Sequence, residues 1–212
     1  MATTKVLVLG ANGAIAQHVI EFLKNDTNIE LTLFARNTNG LQEQASNATI
    51  IKGDVLNSEE LRAAIKGQNI VYANLAGQID KMAGEVVKTM ESEGVQRLIF
   101  VTSLGIYHEI PGKFGEWNNR MIGADLVRYR HAADIVEGSS LNYTVVRPSW
   151  LTDKNETDFE TTQKGEPFTG TEVSRKAVAF YIADLIQNPA EDNHASIGVQ
   201  KPGSQGDKPS FY

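Results

Sequence analysis

The feature that most constrains this chain is a short apolar run, Lys5-Val6-Leu7-Val8-Leu9, that ends at Gly10 and is followed by a second glycine, Gly13. A run of this length and composition reads as a buried strand. Immediately after it Ile15, Val19, Phe22 and Leu23 fall on one face of a helix. Strand, glycine turn and helix in that order open a βαβ unit, and the alternation continues along the chain. Strand-like runs occupy 5–9, 29–35, 48–52, 69–74, 97–103 and 142–147, and several are apolar almost throughout, as expected where helices cover both faces of a parallel sheet. Between them Ile79, Met82, Ala83, Val86, Val87 and Met90 recur at spacings of three and four, with Glu85, Lys88 and Glu91 turned outward. A third helical pattern over 118–138 carries Ile122, Leu126, Tyr129, Ala133 and Val136. The expectation is an α/β protein, a Rossmann-type doubly wound parallel sheet with right-handed crossovers and a small C-terminal substrate-side lobe. One domain covers 1–212, and the Gly-, Pro-, Ser- and Lys-containing segment 201–212 is expected to be loosely held.

Composition then removes whole classes of function. A net charge of -6 without any run of Lys or Arg argues against nucleic acid as a partner. The absence of cysteine excludes disulfides and thiolate chemistry. No apolar stretch is long enough for a signal-peptide core or a membrane span, so a cytoplasmic protein with no membrane partner is expected. His18, His131 and His194 are scattered, and no cluster has metal-ligand spacing, so no metal site is expected. Oligomeric state is left open by the sequence.

The glycine loop carries the clearest chemical signal. Gly10 allows the tight turn, Gly13 brings the backbone close to a pyrophosphate, and Ala16 lets helix and strand pack closely. The helix that starts here aims the free N–H groups of its first turn, around Asn12, Ala14 and Ile15, at the phosphates. The second strand ends in Phe34-Ala35-Arg36-Asn37, with Arg36 where an acid would select NAD by gripping the ribose 2′-hydroxyl. A guanidinium suits a 2′-phosphate instead, so NADP(H) is expected in preference to NAD(H); the alternative is a solvated surface arginine. Gly53-Asp54-Val55 and Asn74-Leu75-Ala76-Gly77 follow the third and fourth strands, where open α/β sheets bind ligands, and both are candidate cofactor contacts. Asp54 has a second reading, as the cap of a turn or of the helix beginning near Ser58.

With Gly10-Ala-Asn-Gly13, Arg36, Gly53-Asp54, Val101-Thr-Ser103, Tyr143-Thr-Val-Val-Arg147-Pro148 and Val173-Ser174-Arg175 in hand, the chain resembles an atypical short-chain dehydrogenase/reductase. The resemblance is to the NAD(P)H-binding, NmrA-like group that includes flavin and biliverdin reductases, and it covers nearly the whole chain. It implies a nicotinamide site near Ser103 and Pro148, with substrate covered by loops at 104–117 and 149–165. Active members of the wider superfamily use a Tyr-x-x-x-Lys pair in which lysine lowers the tyrosine's pKa. Here Leu126 aligns with the tyrosine and Arg130 with the lysine. Arg130 can hold a ribose or phosphate but cannot act as a tunable acid, and Tyr129 lies on the apolar face of its helix, where packing is its expected role.

That leaves modest means for chemistry. Ser103 can hydrogen-bond an acceptor carbonyl, and Tyr107 or His108 on the following loop can supply a proton. Each has a plainer reading, Ser103 as a backbone partner and His108 as a solvated loop residue. Hydride transfer to a flavin or quinone asks mainly for alignment, with the proton taken from water. The expectation is an NADPH-dependent reductase of a small conjugated acceptor. The alternatives are a non-catalytic NAD(P)H-binding redox sensor or regulatory module and, less favoured because the chain is short, an epimerase/dehydratase-like enzyme.

Overall fold

A computed structural model describes residues 3–212. Its centre is an eight-stranded sheet in the order β3-β2-β1-β4-β5-β6-β10-β8. The strands are β1 (Thr4–Leu9), β2 (Ile29–Ala35), β3 (Thr49–Lys52), β4 (Ile70–Ala73), β5 (Arg97–Val101), β6 (Asn142–Pro148), β8 (Glu160–Thr162) and β10 (Ala195–Gln200). All neighbouring pairs run parallel except β10 with β8. A second, two-stranded parallel sheet pairs β7 (Trp150–Thr152) with β9 (Glu172–Ser174) beside the main one. The doubly wound parallel architecture is the one the sequence pattern implies.

Burial explains why β1 reads as uninterrupted apolar sequence. Val6 and Val8 enter one core with α1 (Ala14–Leu23) and α6 (Arg175–Gln187), while Leu7 and Leu9 enter another on the opposite face. That second core receives α3 (Ser58–Ile65), α4 (Ile79–Glu93) and α5 (Gly112–Glu137). A short α2 (Leu41–Gln44) completes the set. All four of these β1 side chains are fully buried, so a polar residue at any of them would be desolvated without a partner. Among the described residues no helix is long and apolar enough to cross a membrane.

Three details depart from the pattern read in the sequence. Helix α5 starts at Gly112, not near 118, because Pro111 in an extended conformation forms its N-cap. The side chains of its first turns, Phe114 and Trp117, pack into a separate small cluster with Leu104 and Phe168, so they do not follow the register of the main core. The segment 149–165 is not all loop, since it contributes β7 and β8. The 201–212 segment is tied down: Thr171 donates its backbone N–H and its hydroxyl to the Ser204 carbonyl, and Ser210 N–H donates to buried Glu172 Oε2 at 2.8 Å.

Sheet order places the site. From β1 the chain winds outward through β2 and β3, then returns to the other side of β1 at β4. At such a switch point the loops diverge and leave a crevice beyond the carboxyl ends of the strands.

Candidate functional site

Two adjoining cavities open along that crevice. The first, about 460 Å³, lies over the ends of β1, β2, β3 and β4 and is lined by Gly10, Asn12, Gly13, Arg36, Asp54, Val55, Asn74, Leu75 and Ala76 among others. The second, about 600 Å³, lies over β5 and β6. Ala76 borders the first and Gly77 the second, so the two meet at the end of β4.

The glycine loop is built for close approach. Gly10 has φ +79°, a left-handed conformation, and a Cβ there would run into the Asn74 carbonyl. A Cβ on Gly13 would collide with the Asn74 side-chain amide. Gly13 forms the N-cap of α1 and offers no side chain to cap it, which leaves N–H groups of the first turn, from Ala14 onward, without a capping partner. Ile15 turns its side chain into the core, so it and Ala14 bring backbone to this end. The Asn12 side-chain amide donates to the Asn37 carbonyl and ties the glycine loop to the loop after β2.

Arg36 is exposed and has no hydrogen bond or ion pair among the described residues. It shares a smaller hollow with Lys52, Gly53, Asp54 and Glu60. Lys52 was not singled out in the sequence, because a lysine ending a four-residue strand looks like any solvated surface residue. Asp54 borders the cavity, and its Oδ1 accepts the Leu56 N–H at 3.0 Å in a turn, the second of its two readings. The cap of α3 is Asn57, whose side chain accepts from the N–H groups of Glu59 and Glu60.

The second cavity contains Ser103 and Pro148. Ser103 is flanked by two anchored neighbours, with Thr102 N–H donating to the Val146 carbonyl and Leu104 N–H to the Pro148 carbonyl. Ser103 itself borders the cavity, and its hydroxyl has no protein partner among the described residues. Of the remaining wall, Trp150 falls in the 149–165 segment expected to cover substrate and Arg175 in a motif that carries the resemblance, whereas Asp125, Arg128 and Tyr129 from α5 and Phe211 and Tyr212 are not legible as site residues in the sequence. Tyr129 does pack on the core as expected, and it also borders the cavity. Burial, and secondarily the Asp125 carboxylate, raise its phenol above the ordinary value.

Tyr107, His108 and Arg130 are not brought into either cavity. The Tyr107 hydroxyl donates to Glu137 Oε1 at 2.7 Å and lies 3.1 Å from Ser196 Oγ. Its ring is surrounded by the cationic groups of Arg130, Arg147 and Lys164, at 5.0, 5.2 and 4.4 Å from the centroid. Burial foremost pushes this phenol well above its usual range. Arg130 Nε is paired with Asp134 Oδ1 at 2.7 Å, and Nη1 reaches the Ile106 carbonyl. His108 is exposed with φ +60°. The cause is Glu109. Its Oε1 accepts from Gly105 N–H and its Oε2 from Tyr107 N–H, which curls the loop back on itself. Arg147, fully buried at the end of β6, holds Glu109 in place through Nη1 at 2.6 Å.

Comparison with known proteins agrees with this geometry. A family model described as NAD(P)H-binding matches residues 10–189. The chain belongs to the NAD(P)H-binding family. A Rossmann-fold NAD(P)-binding family protein from Shigella flexneri is 44% identical, with a TM-score of 0.83, covering 99% of this chain and 100% of that one. A short-chain dehydrogenase/reductase from Veillonella parvula DSM 2008, solved in complex with NADP, is 29% identical with a TM-score of 0.89, covering 98% and 99%. Among curated proteins an uncharacterized sugar epimerase, YhfK of Bacillus subtilis (strain 168), is 24% identical over 204 residues, 90% of this chain and 92% of that one. The chain is therefore an NAD(P)H-binding protein with an oxidoreductase-like Rossmann fold.

Proposed function

We propose that this protein is an NADPH-dependent reductase of a small conjugated acceptor, such as a flavin or quinone, that works mainly by positioning. The observation that carries the reading is the division of the crevice. One half is a phosphate-ready hollow with unpaired Arg36 and Lys52, and the other is an aromatic-walled cavity that holds a free serine hydroxyl without a Tyr–Lys pair.

In this reading the uncapped first turn of α1 binds the pyrophosphate through N–H groups and the helix dipole. Arg36 supplies a guanidinium for a 2′-phosphate, a group that NAD lacks, with Lys52 beside it in a hollow that Asp54 and Glu60 also border. The Veillonella parvula relative with NADP bound supports the same preference. The nicotinamide, when bound, supplies the hydride. Ser103 donates a hydrogen bond to the acceptor, and the Tyr129 phenol on the same cavity wall is a second donor. Tyr107 and Arg130 stand outside the chemistry, occupied by Glu137 and Asp134.

The test is to mix purified protein with NADPH or NADH, each with FMN or menadione, and follow loss of absorbance at the nicotinamide band. Oxidation that prefers NADPH is expected. Arg36→Glu should weaken NADPH far more than NADH, and equal loss for both would overturn the cofactor assignment. The likeness to YhfK favours a second reading, an epimerase, which would turn over without net consumption of NADPH. Tight binding of NADPH with no turnover of any kind would favour the sensor.

A further inference from the structure

Four aromatic residues in and beside the second cavity form a continuous group, whose two tryptophans also pack on the small cluster of Leu104, Phe114 and Phe168. Trp117 and Trp150 lie 4.8 Å apart between ring centroids, and Tyr212 meets both edge-on at 5.0 and 5.3 Å. Phe211 adjoins Tyr212 at 5.3 Å. Trp150, Phe211 and Tyr212 border the cavity that contains Ser103 and Pro148.

Two facts separate its outer members, Phe211 and Tyr212, from ordinary packing. Phe211 and Tyr212 each remain 50% exposed, whereas Phe34 and Phe100 are buried to within 1%. The half-exposed rings are nevertheless held in place. Buried Glu172 fixes Ser210, Lys113 pairs with Asp207 at 3.2 Å, and Gly170 bridges to Gln205. Trp150 is fixed as well, because its indole N–H donates to Oδ1 of fully buried Asn118 at 2.9 Å. Half-exposed rings beside a cavity, on a chain segment anchored at several points, are preorganised to receive another flat group.

We infer that Trp150, Phe211 and Tyr212 are the specificity-determining wall of the acceptor site and select a planar conjugated ring. This rests on the reductase reading, since it assigns the acceptor to this half of the crevice. The segment 201–212 is thus a fixed strap that carries two side chains of the site.

Both tryptophans of the chain belong to this group, so their emission reports acceptor binding whether or not turnover occurs. With NADP⁺ saturating, FMN and menadione are titrated into the wild type, Phe211→Ala/Tyr212→Ala and Tyr212→Phe while quenching is followed. The double variant should bind both rings about tenfold more weakly, the loss expected for roughly one aromatic contact. Its affinity for NADP⁺ should be unchanged, and Tyr212→Phe should match the wild type, since the ring and not the hydroxyl makes the wall. Wild-type affinity in the double variant, or no binding of either ring by the wild type, overturns the inference. Quenching by the acceptors without NADPH oxidation would retire the reductase reading and leave the wall standing.

Discussion

Removing Glu109 should cost this protein a large part of its stability, through a charge left behind on another residue. Arg147 is fully buried, and the Glu109 side chain is 4% exposed with its Oε1 2.6 Å from Nη1. The other guanidinium contacts go to uncharged groups, Ser196 Oγ and the Ser196 carbonyl, so Glu109 is its ionic partner. Glu109→Ala therefore strands a cation in the interior, for which a loss of about 3–5 kcal/mol is the usual scale. It also frees the N–H groups of Gly105 and Tyr107. A typical domain holds only about 5–15 kcal/mol in total, so the variant should unfold at far lower urea. Arg147→Met in the Glu109→Ala background removes the stranded charge. The double variant should cost less than the sum of the single ones by roughly 2 kcal/mol or more, a coupling read from urea midpoints. A loss below about 1 kcal/mol in Glu109→Ala, or strict additivity, would refute the reasoning.

Two further outcomes follow from groups outside the cleft. Tyr107→Phe should lose about 1–2 kcal/mol of stability, because Glu137 and Ser196 lose a hydrogen-bond partner, while the pH profile of NADPH oxidation stays unchanged. A shifted limb of that profile would return Tyr107 to the chemistry. Burial by itself would raise the Glu172 carboxyl, but hydrogen bonds from Lys154 and Ser210 outweigh it and bring the pKa from 4.5 down to about 2. A carboxyl depressed in the folded state stabilises it fully above 4.5, and that contribution is lost as pH falls towards 2. The strap should therefore loosen in that acid window, seen as a change in tryptophan emission ahead of the loss of helix signal. Loosening as pH rises would contradict the assignment.

The half of the site that the sequence reveals is the half built from local geometry. A strand ending at Gly10, a helix starting at Ala14 and a cation at Arg36 are each written within a few residues, and β1, β2, β4, β5 and β6 are buried over most of their length, so their apolar runs are hard to misread. Strand β10 escapes because Ser196, Gly198 and Gln200 interrupt its apolar pattern. The interruptions have distant causes. Ser196 meets Arg147, Gln200 accepts from Gly170 N–H, and Gly198 has no room for a Cβ against Thr162 and the Phe168 ring.

The second cavity is only partly legible in the sequence, for the same reason on a larger scale: the resemblance implies Ser103, Pro148 and the 149–165 segment but not α5 or residues 211–212. Its wall is gathered from α5, from the ends of β5 and β6, from the start of α6 and from residues 211–212, and only the folded sheet brings these together. The loop after β5 is the sharpest case. Ser103, Tyr107 and His108 look like neighbours in one active centre, yet a chain of residues carries no statement of which way a loop turns. That direction is set by Glu109, which binds the backbone of its own loop at two points and is held by Arg147 from 38 residues away. The turn leaves Ser103 at the cavity and sets half-buried Tyr107 among three cations. In the proposed reading, a charged pair that borders neither cavity thus decides which residues of this loop can take part in the reaction.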